Sequence, residues 1–328
     1  MTTILVTGAS GFIGKHLVRR LLDSGNEVRC LMRQPREFLP GVVPHGGDIL
    51  QPDTLDQPLR GVDVVYHLAG ATMVTHPAQY RRVNDQGTHH LAEACVRQSR
   101  PPRLLYLSSL AAGGPALSDR PRKESDPPAP VSLYGKSKAA GERTLARLAD
   151  RLSSTIVRAP GVYGPGDPNN IRLFRAASMG LNGVPGALRL QVPLIHVDDL
   201  VRGMILAVSR GKSLTSDLAQ GVYNLAHPRQ PTLEELGTLA GEAMGNPRVR
   251  TFSLPRAFCR FWGRVIDLVV AVSGHPRLLT SDKMREVLAG SWACSTDRAT
   301  EELGFACEVS FTEGFASTVK WYRDNGWL

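Results

Sequence analysis

The chain has 328 residues, 42% of them hydrophobic and 6% aromatic, and carries a net charge of +9 from 39 Lys and Arg against 30 Asp and Glu. That length suits one large domain or two tightly joined ones, and the apolar fraction excludes a disordered chain. Few aromatics and scattered arginines, densest at Arg19-Arg20 and Arg120-Pro-Arg-Lys123, exclude a stacking platform or a basic tail for nucleic acid.

In chain order, Thr3-Ile4-Leu5-Val6-Thr7 is a buried strand and residues 11–24 a helix, with Ile13, Leu17, Leu21 and Leu22 on one face. Strands are expected over residues 27–32, 63–68, 103–108 and 155–158, and helices over 88–99 and 133–152. Strands apolar on both faces and alternating with helices specify a parallel sheet covered on both sides. Residues 161–186 are rich in Gly, Pro and Asn and predict loop with short helices. Residues 192–197 and 222–225 are expected to return to the sheet as strands. Further helices are expected from Leu233, from Pro255, near Lys283 and over 312–324.

The opening apolar run is a first strand rather than a signal peptide, and no run reaches the roughly 18 apolar residues of a spanning helix. Cys30, Cys95, Cys259, Cys294 and Cys307 form no CxxC pair and no metal-ligand spacing. They fit buried thiols of a reducing, cytoplasmic compartment. No metal site is expected. His89 and His90 are adjacent on a helix and point apart. Neither Ser108 nor Ser109 lies in a GxSxG elbow, which argues against a serine hydrolase.

Thr7-Gly8-Ala9-Ser10-Gly11-Phe12-Ile13-Gly14 joins the first strand to the first helix. Glycines at these spacings permit the tight turn, the approach of a pyrophosphate to the backbone and close helix–strand packing. The helix N-terminus adds free N–H groups and partial positive charge. Arg33 ends the second strand, where an acidic residue would hold the ribose hydroxyls of NAD, and Arg36 follows. Guanidinium groups there suit a 2′-phosphate, so NADP(H) is favoured over NAD(H).

Tyr134 and Lys138 lie four residues apart on one face of a predicted helix. A neighbouring ammonium is expected to lower the phenol's pKa toward neutrality and so equip it for proton transfer. Ser109 ends the strand 103–108, at the carboxyl edge where sites sit in such sheets. Ser108 is the alternative, because neighbours on a strand face opposite sides.

The loop TGASGFIG resembles the TGxxGxxG loop of the extended short-chain dehydrogenases/reductases, the NAD-dependent epimerase/dehydratase family. His67-Leu68-Ala69-Gly70, Tyr134-Gly-Lys-Ser-Lys138, Arg158-Ala-Pro-Gly-Val-Tyr-Gly-Pro165 and His196-Val-Asp-Asp199 extend the likeness over nearly the whole chain. The resemblance implies an α/β fold: a Rossmann-type doubly wound parallel sheet with a smaller, interleaved C-terminal substrate lobe. The expected division is 1–165 with 192–226 for the dinucleotide domain, and 166–191 with 227–328 for the lobe.

The resemblance further implies that Gly8, Ser10, Gly11, Phe12, Ile13 and Gly14 hold the diphosphate. Asp48 and Ile49 would hold the adenine. Leu68, Ala69 and Gly70 would pass under the cofactor, Pro160 and Val162 would line the nicotinamide, and Tyr163 would face the substrate. Ser109, Tyr134 and Lys138 would be the catalytic set, with Lys138 also on the nicotinamide ribose. Asn84 matches a structural asparagine before a helix, a place that helix capping also explains.

The expected function is interconversion of a carbonyl and a secondary alcohol on a partly apolar small molecule, as in enzymes similar to 3β-hydroxysteroid dehydrogenases or dihydroflavonol reductases. The alternative is a nucleotide-sugar epimerase or dehydratase with tightly bound NAD. Ser109-Leu110-Ala111 offers no Asp-Glu pair of the dehydratase kind. A non-catalytic NADPH sensor is a third reading, and the intact Ser109, Tyr134 and Lys138 speak against it. Residues 255–273 predict an amphipathic helix with Arg256, Arg260 and Arg264 in one stripe. Packing in the lobe core or against a second subunit is the expectation for it. A lid over an apolar substrate and contact with a membrane surface are the alternatives. A homodimer through the helices of 88–99 and 133–152 is expected from the family likeness.

Overall fold

The structure, a computed structural model, describes residues 1–118, 120–186 and 190–328. Its strands are β1 (Thr3–Thr7), β2 (Glu27–Met32), β3 (Val42–Gly46), β4 (Val64–His67), β5 (Arg103–Ser109), β6 (Ser154–Ala159), β7 (Gly161–Tyr163), β8 (Leu181–Pro185), β9 (Leu194–His196), β10 (Val222–Asn224) and β11 (Arg250–Leu254). Helices of seven residues or more are α1 (Phe12–Asp23), α2 (Thr88–Val96), α3 (Leu133–Ala146), α4 (Ile171–Ser178), α5 (Val197–Arg210), α6 (Leu233–Met244), α7 (Arg256–Ser273), α8 (Ser281–Val287), α9 (Asp297–Leu303) and α10 (Phe311–Asp324).

Seven strands form one sheet in the order β10-β6-β5-β4-β1-β2-β3, all pairings parallel. Strand order reverses at β1, so the crevice between the carboxyl ends of β1 and β4 is the switch point at which open α/β sheets bind ligands. Alternation sends Ile4 and Val6 into a core under α1 and α5, and Leu5 into the opposite core with Leu91, Leu104 and Leu145. Both faces of the sheet are therefore buried, which is why its strands are continuous apolar runs.

Several elements differ from expectation. β3 is an additional edge strand; Pro44 disguises it, and an edge is where a sheet tolerates proline. The segment expected as a strand over 192–197 forms β9, which pairs with β7 in a separate two-stranded sheet, whereas β10 does join the main sheet. α3 stops at Ala146, and the turn beyond it delivers Leu148 and Leu152 to the core. β8 and β11 form a third, parallel pair.

A third core gathers Tyr163, Phe174, Phe311, Phe315 and Tyr322. α7 does not join it. Only Cys259, Gly263 and Val270 of that helix are buried, and its large apolar residues face outward, which overturns core packing as their use. Among the described residues no helix is long and apolar enough to cross a membrane.

The turn from β1 into α1 is a tight joint of the fold. A Cβ on Gly14 would stand 2.2 Å from the carbonyl oxygen of Gly8 and 2.7 Å from that of Ala9. Both obstacles are backbone, so relief requires moving the helix off the strand. We expect Gly14→Ala to lower Tm by about 1–4 °C, as overpacking of about 1–3 kcal/mol would in a chain of this length. A melt unchanged from wild type would show that the joint has slack.

Candidate active site

Gly8 turns the chain with φ at +71°, and a Cβ there would meet the Ala69 backbone nitrogen at 2.7 Å. The turn after β1 thus lies directly against the end of β4. Gly11 precedes α1 in extended backbone and supplies no side-chain cap. The N–H groups of Phe12 and Ile13 have no partner among the described residues, and the first turn of α1 holds no acid. These N–H groups, beside the exposed Ser10 and Gly11, offer donors of the kind that hold an anion at a helix N-terminus. Leu68 and Ala69 are half-buried and Gly70 exposed along the adjoining edge.

Arg33 and Arg36 are exposed beyond β2, and neither has a carboxylate or hydrogen-bond partner among the described residues. Glu27, at the far end of the same strand, is paired with Arg29 at 2.7 Å. Asp48 uses Oδ1 to accept from the Leu50 N–H at 2.9 Å, a turn role, and leaves Oδ2 without a partner among the described residues. Ile49 is buried against Gly87, and its carbonyl accepts from His90 Nδ1 at 2.9 Å.

Ser109 and Tyr134 come together across the carboxyl end of β5. Ser109 Oγ accepts from the Ala111 N–H at 3.2 Å and lies near enough to the Tyr134 phenol to lower its pKa. Ser108 faces the other way: its hydroxyl donates to Glu142 Oε1 at 2.5 Å. Glu142 in turn receives a fork from Arg158 at 2.9 and 2.6 Å, and both side chains are buried. The choice between the two serines is therefore made by a buried ion pair that already occupies Ser108.

Lys138 departs from its expected effect. Its Nζ donates to the Leu107 carbonyl at 2.7 Å and lies 4.5 Å from the centre of the Tyr106 ring. Burial pulls its pKa down to about 7, against the pull of Glu142 in the other direction. Burial also pushes the Tyr134 phenol above its ordinary value; Ser109 opposes this, while Glu286 and Tyr80 add to it. Desolvation outweighs the expected ammonium effect, and Tyr134 is held as a neutral phenol.

A buried hydrogen-bond network supports this set. Thr7 Oγ1 contacts His67 Nδ1 at 2.7 Å, and His67 Nε2 contacts Thr88 Oγ1 at 3.0 Å. The Thr88 hydroxyl spends its proton on the Asn84 carbonyl at 2.8 Å, so it accepts from His67 Nε2–H, and Nδ1 accepts from Thr7. His67 is neutral: burial first, then Lys138, lowers its pKa to about 3. Asn84 does not cap a helix. It lies in the π-helical turn Arg82–Gly87, accepts from Ala71 N–H at 2.8 Å, and donates to the Ala71 carbonyl and Ser137 Oγ, both at 2.9 Å. The loop after β4 is thereby tied to α3 beside Tyr134.

The C-terminal half contributes groups that no sequence signal marks. Asp282 of α8 accepts from the N–H groups of Leu133 at 2.7 Å and Tyr134 at 3.2 Å. Ser132 caps α3 through the Gly135 N–H and donates to Glu286 at 2.5 Å. The sole sequence hint for Glu142 is its spacing, one turn beyond Lys138 on the same face as Tyr134. Pro160 and Val162 are half-buried after β6. Tyr163 does not face a substrate: it is 1% exposed and packs on Phe311 and Phe315.

A cavity of about 400 Å³ is lined by Met73, Pro168, Asn169, Arg172 and the run His275–Leu278. Ser109, Tyr134 and Lys138 do not line it, and two of its wall segments connect to elements packed on Tyr134. Met73 follows Thr72, whose carbonyl accepts from Tyr80, and the Tyr80 and Tyr134 rings are 5.8 Å apart. The run His275–Leu278 leads into α8, whose Asp282 caps the Tyr134 helix.

The model of the NAD dependent epimerase/dehydratase family matches residues 4–226. Over 333 residues the chain is 32% identical to a ceramide reductase of Caulobacter vibrioides, covering 99% of this chain and 96% of that one. It is 31% identical to a UDP-glucose 4-epimerase of Vibrio cholerae, covering 97% and 94% of the two chains. Among solved structures, MoeE5 in complex with UDP-glucuronic acid and NAD superposes with a TM-score of 0.77 at 28% identity, covering 98% of this chain and 99% of that one.

The lowered pKa of Lys138 can be read by NMR of lysine labelled at ¹³Cε, with Lys138→Met giving the assignment. We expect one resonance to titrate near pH 7, ammonium below and neutral amine above, well under the ordinary lysine value of 10.5. A Lys138 midpoint at 10 or higher would remove desolvation as the controlling force.

Proposed function

Because the chain belongs to the NAD dependent epimerase/dehydratase family of extended short-chain dehydrogenases/reductases and is an NAD(P)-dependent enzyme, we propose that it interconverts a ketone and a secondary alcohol on a partly apolar small molecule, using NADP(H). The observation that carries the reading is the juxtaposition of Ser109 and Tyr134 at the carboxyl end of β5, with Tyr134 kept neutral.

In the reducing direction Tyr134 gives its phenolic proton to the substrate's carbonyl oxygen, and in the reverse direction the phenolate takes the alcohol proton. Ser109 holds the same oxygen with its hydroxyl, in an orientation set by the Ala111 N–H. Lys138, with a pKa of about 7, can carry a proton behind Tyr134 and hold ribose hydroxyls. The cradle of Gly8, Ser10, Gly11, Phe12, Ile13 and Gly14 fits a dinucleotide diphosphate, with Leu68–Gly70, Pro160 and Val162 along its edge. A bound nicotinamide dinucleotide supplies or takes up the hydride. Arg33 and Arg36, exposed and unpaired among the described residues, support NADP(H), since a 2′-phosphate needs a cation where NAD would need an acid.

Likeness to the ceramide reductase supports an apolar ketone, as do Met73, Pro168, Pro276 and Leu278 in the cavity wall. A second reading is an epimerase acting on a nucleotide sugar with retained NAD. Arg172 and Arg277 in the same cavity favour it, since two guanidinium groups suit a diphosphate. A dehydratase is not favoured, because the two positions after Ser109 are the buried Leu110 and Ala111.

Denaturing freshly purified protein and identifying the nucleotide it releases separates the two readings. We expect empty protein or NADP(H); near-stoichiometric NAD would transfer the assignment to the epimerase. Tyr134→Phe is expected to lower turnover at least 100-fold while leaving dinucleotide binding intact, within the range of general acid catalysis; an unimpaired variant would remove the role given to Tyr134. Arg33→Ala with Arg36→Ala should raise KM for NADPH about 10-fold and leave KM for NADH unchanged, the loss of one charged contact of about 1.4 kcal/mol. Equal effects on both dinucleotides would end the NADP(H) assignment.

A further inference from the structure

α7 is held to the rest of the lobe by one narrow face. Cys259 packs with Met284 and Leu288, and Gly263 lies so close to α8 that a Cβ would meet Ser281 and Met284 at 3.0 Å. Asp267 accepts from the Ser281 N–H at 3.1 Å. The remaining surface presents Phe258, Phe261, Trp262, Val265, Leu268, Val269 and Val272, which recur at intervals of three and four and so form one continuous stripe. Phe261 is 62% exposed, Leu268 66% and Val272 82%. An aromatic and aliphatic stripe of this length on one exposed helix is far from ordinary surface scatter.

Its flank is cationic. Arg260 and Arg264 are exposed and, among the described residues, have no carboxylate or hydrogen-bond partner; Arg256 donates to the Leu288 carbonyl. Asp267, the one acid of the helix, is already engaged. In an antiparallel two-fold pairing of this helix with a second copy, the Arg260–Arg264 rows would run beside each other with no free acid opposite. An anionic bilayer surface offers both what the stripe and what the flank require: acyl chains for Phe, Trp and Leu, and phosphates for Arg. The helix then leads through Gly274 into the run His275–Leu278, a wall of the cavity beside the Tyr134 segments.

We propose that α7 is an interfacial docking helix that lays its Phe258–Val272 stripe into the headgroup region of an anionic membrane, with Arg260 and Arg264 on lipid phosphates. This goes beyond the activity proposed above and does not depend on it, since docking is read without substrate.

The test is co-sedimentation of the full chain with vesicles of phosphatidylcholine alone and of phosphatidylcholine with phosphatidylglycerol at 3:1. We expect at least 10-fold stronger partitioning onto the anionic vesicles, weakened by 0.5 M salt. The double variants Phe261→Ser with Leu268→Ser, and Arg260→Glu with Arg264→Glu, should each lower it at least 10-fold. All four positions are exposed, so melts and dinucleotide binding should match wild type. Failure of the wild type to bind anionic vesicles would overturn the proposal, as would undiminished binding by both variants. Light scattering supplies a further outcome. A wild-type dimer that becomes a monomer in the Phe261→Ser with Leu268→Ser variant would give the stripe to a second copy instead.

Discussion

The buried pair of Glu142 and Arg158 is the joint on which the rest of the site depends. It locks α3 to the end of β6 through a two-bond fork at 2.9 and 2.6 Å, and Ser108 completes the carboxylate's bonding. Removing one partner of such a pair strands the other charge and costs about 3–5 kcal/mol. Because Tyr134, Lys138 and Glu142 share one helix face at intervals of four, fixing Glu142 also fixes where Tyr134 and Lys138 stand over β5. With Ser108 drawn into the pair, Ser109 on the opposite side of the strand is left free for Tyr134.

The other end of α3 is held by the C-terminal lobe. Asp282 takes the first two N–H groups of the helix, and Ser132 links its cap to Glu286. Acidic groups at a helix N-terminus are electrostatically favourable, and here Glu286 also adds to the forces that keep the Tyr134 phenol protonated. The C-terminal half and the proposed proton donor are thus physically joined, and a displacement of α8 would alter both the position of Tyr134 and its affinity for its proton.

Two chemistries of the family compete for the same scaffold, and they differ in what surrounds the reacting centre rather than in the centre itself. Arginines in the cavity wall suit a diphosphate, while its apolar wall residues suit a greasy molecule. Arg33 and Arg36, exposed beyond β2, bear on the proposed cofactor choice rather than on the reacting centre.

What the sequence determined by itself is what depends on neighbours a few residues apart. The glycine spacing of residues 8–14 dictated the turn, because only glycine admits φ of +71° at Gly8 and the contact at Gly14. The apolar runs dictated buried parallel strands, and the four-residue interval put Tyr134 and Lys138 on one helix face. Tertiary structure decided whatever rests on desolvation and long-range pairing. Lys138 loses its ordinary pKa because segments from β5 enclose it, and Tyr134 is raised rather than lowered for the same reason. Asp282 and Glu286 reach α3 from about 150 positions further along the chain, a distance no periodicity encodes. Tyr163 is buried and α7 exposed, the reverse of what their motifs imply. Amphipathic spacing states that a helix has an apolar face, and only the packed neighbours decide whether that face is covered.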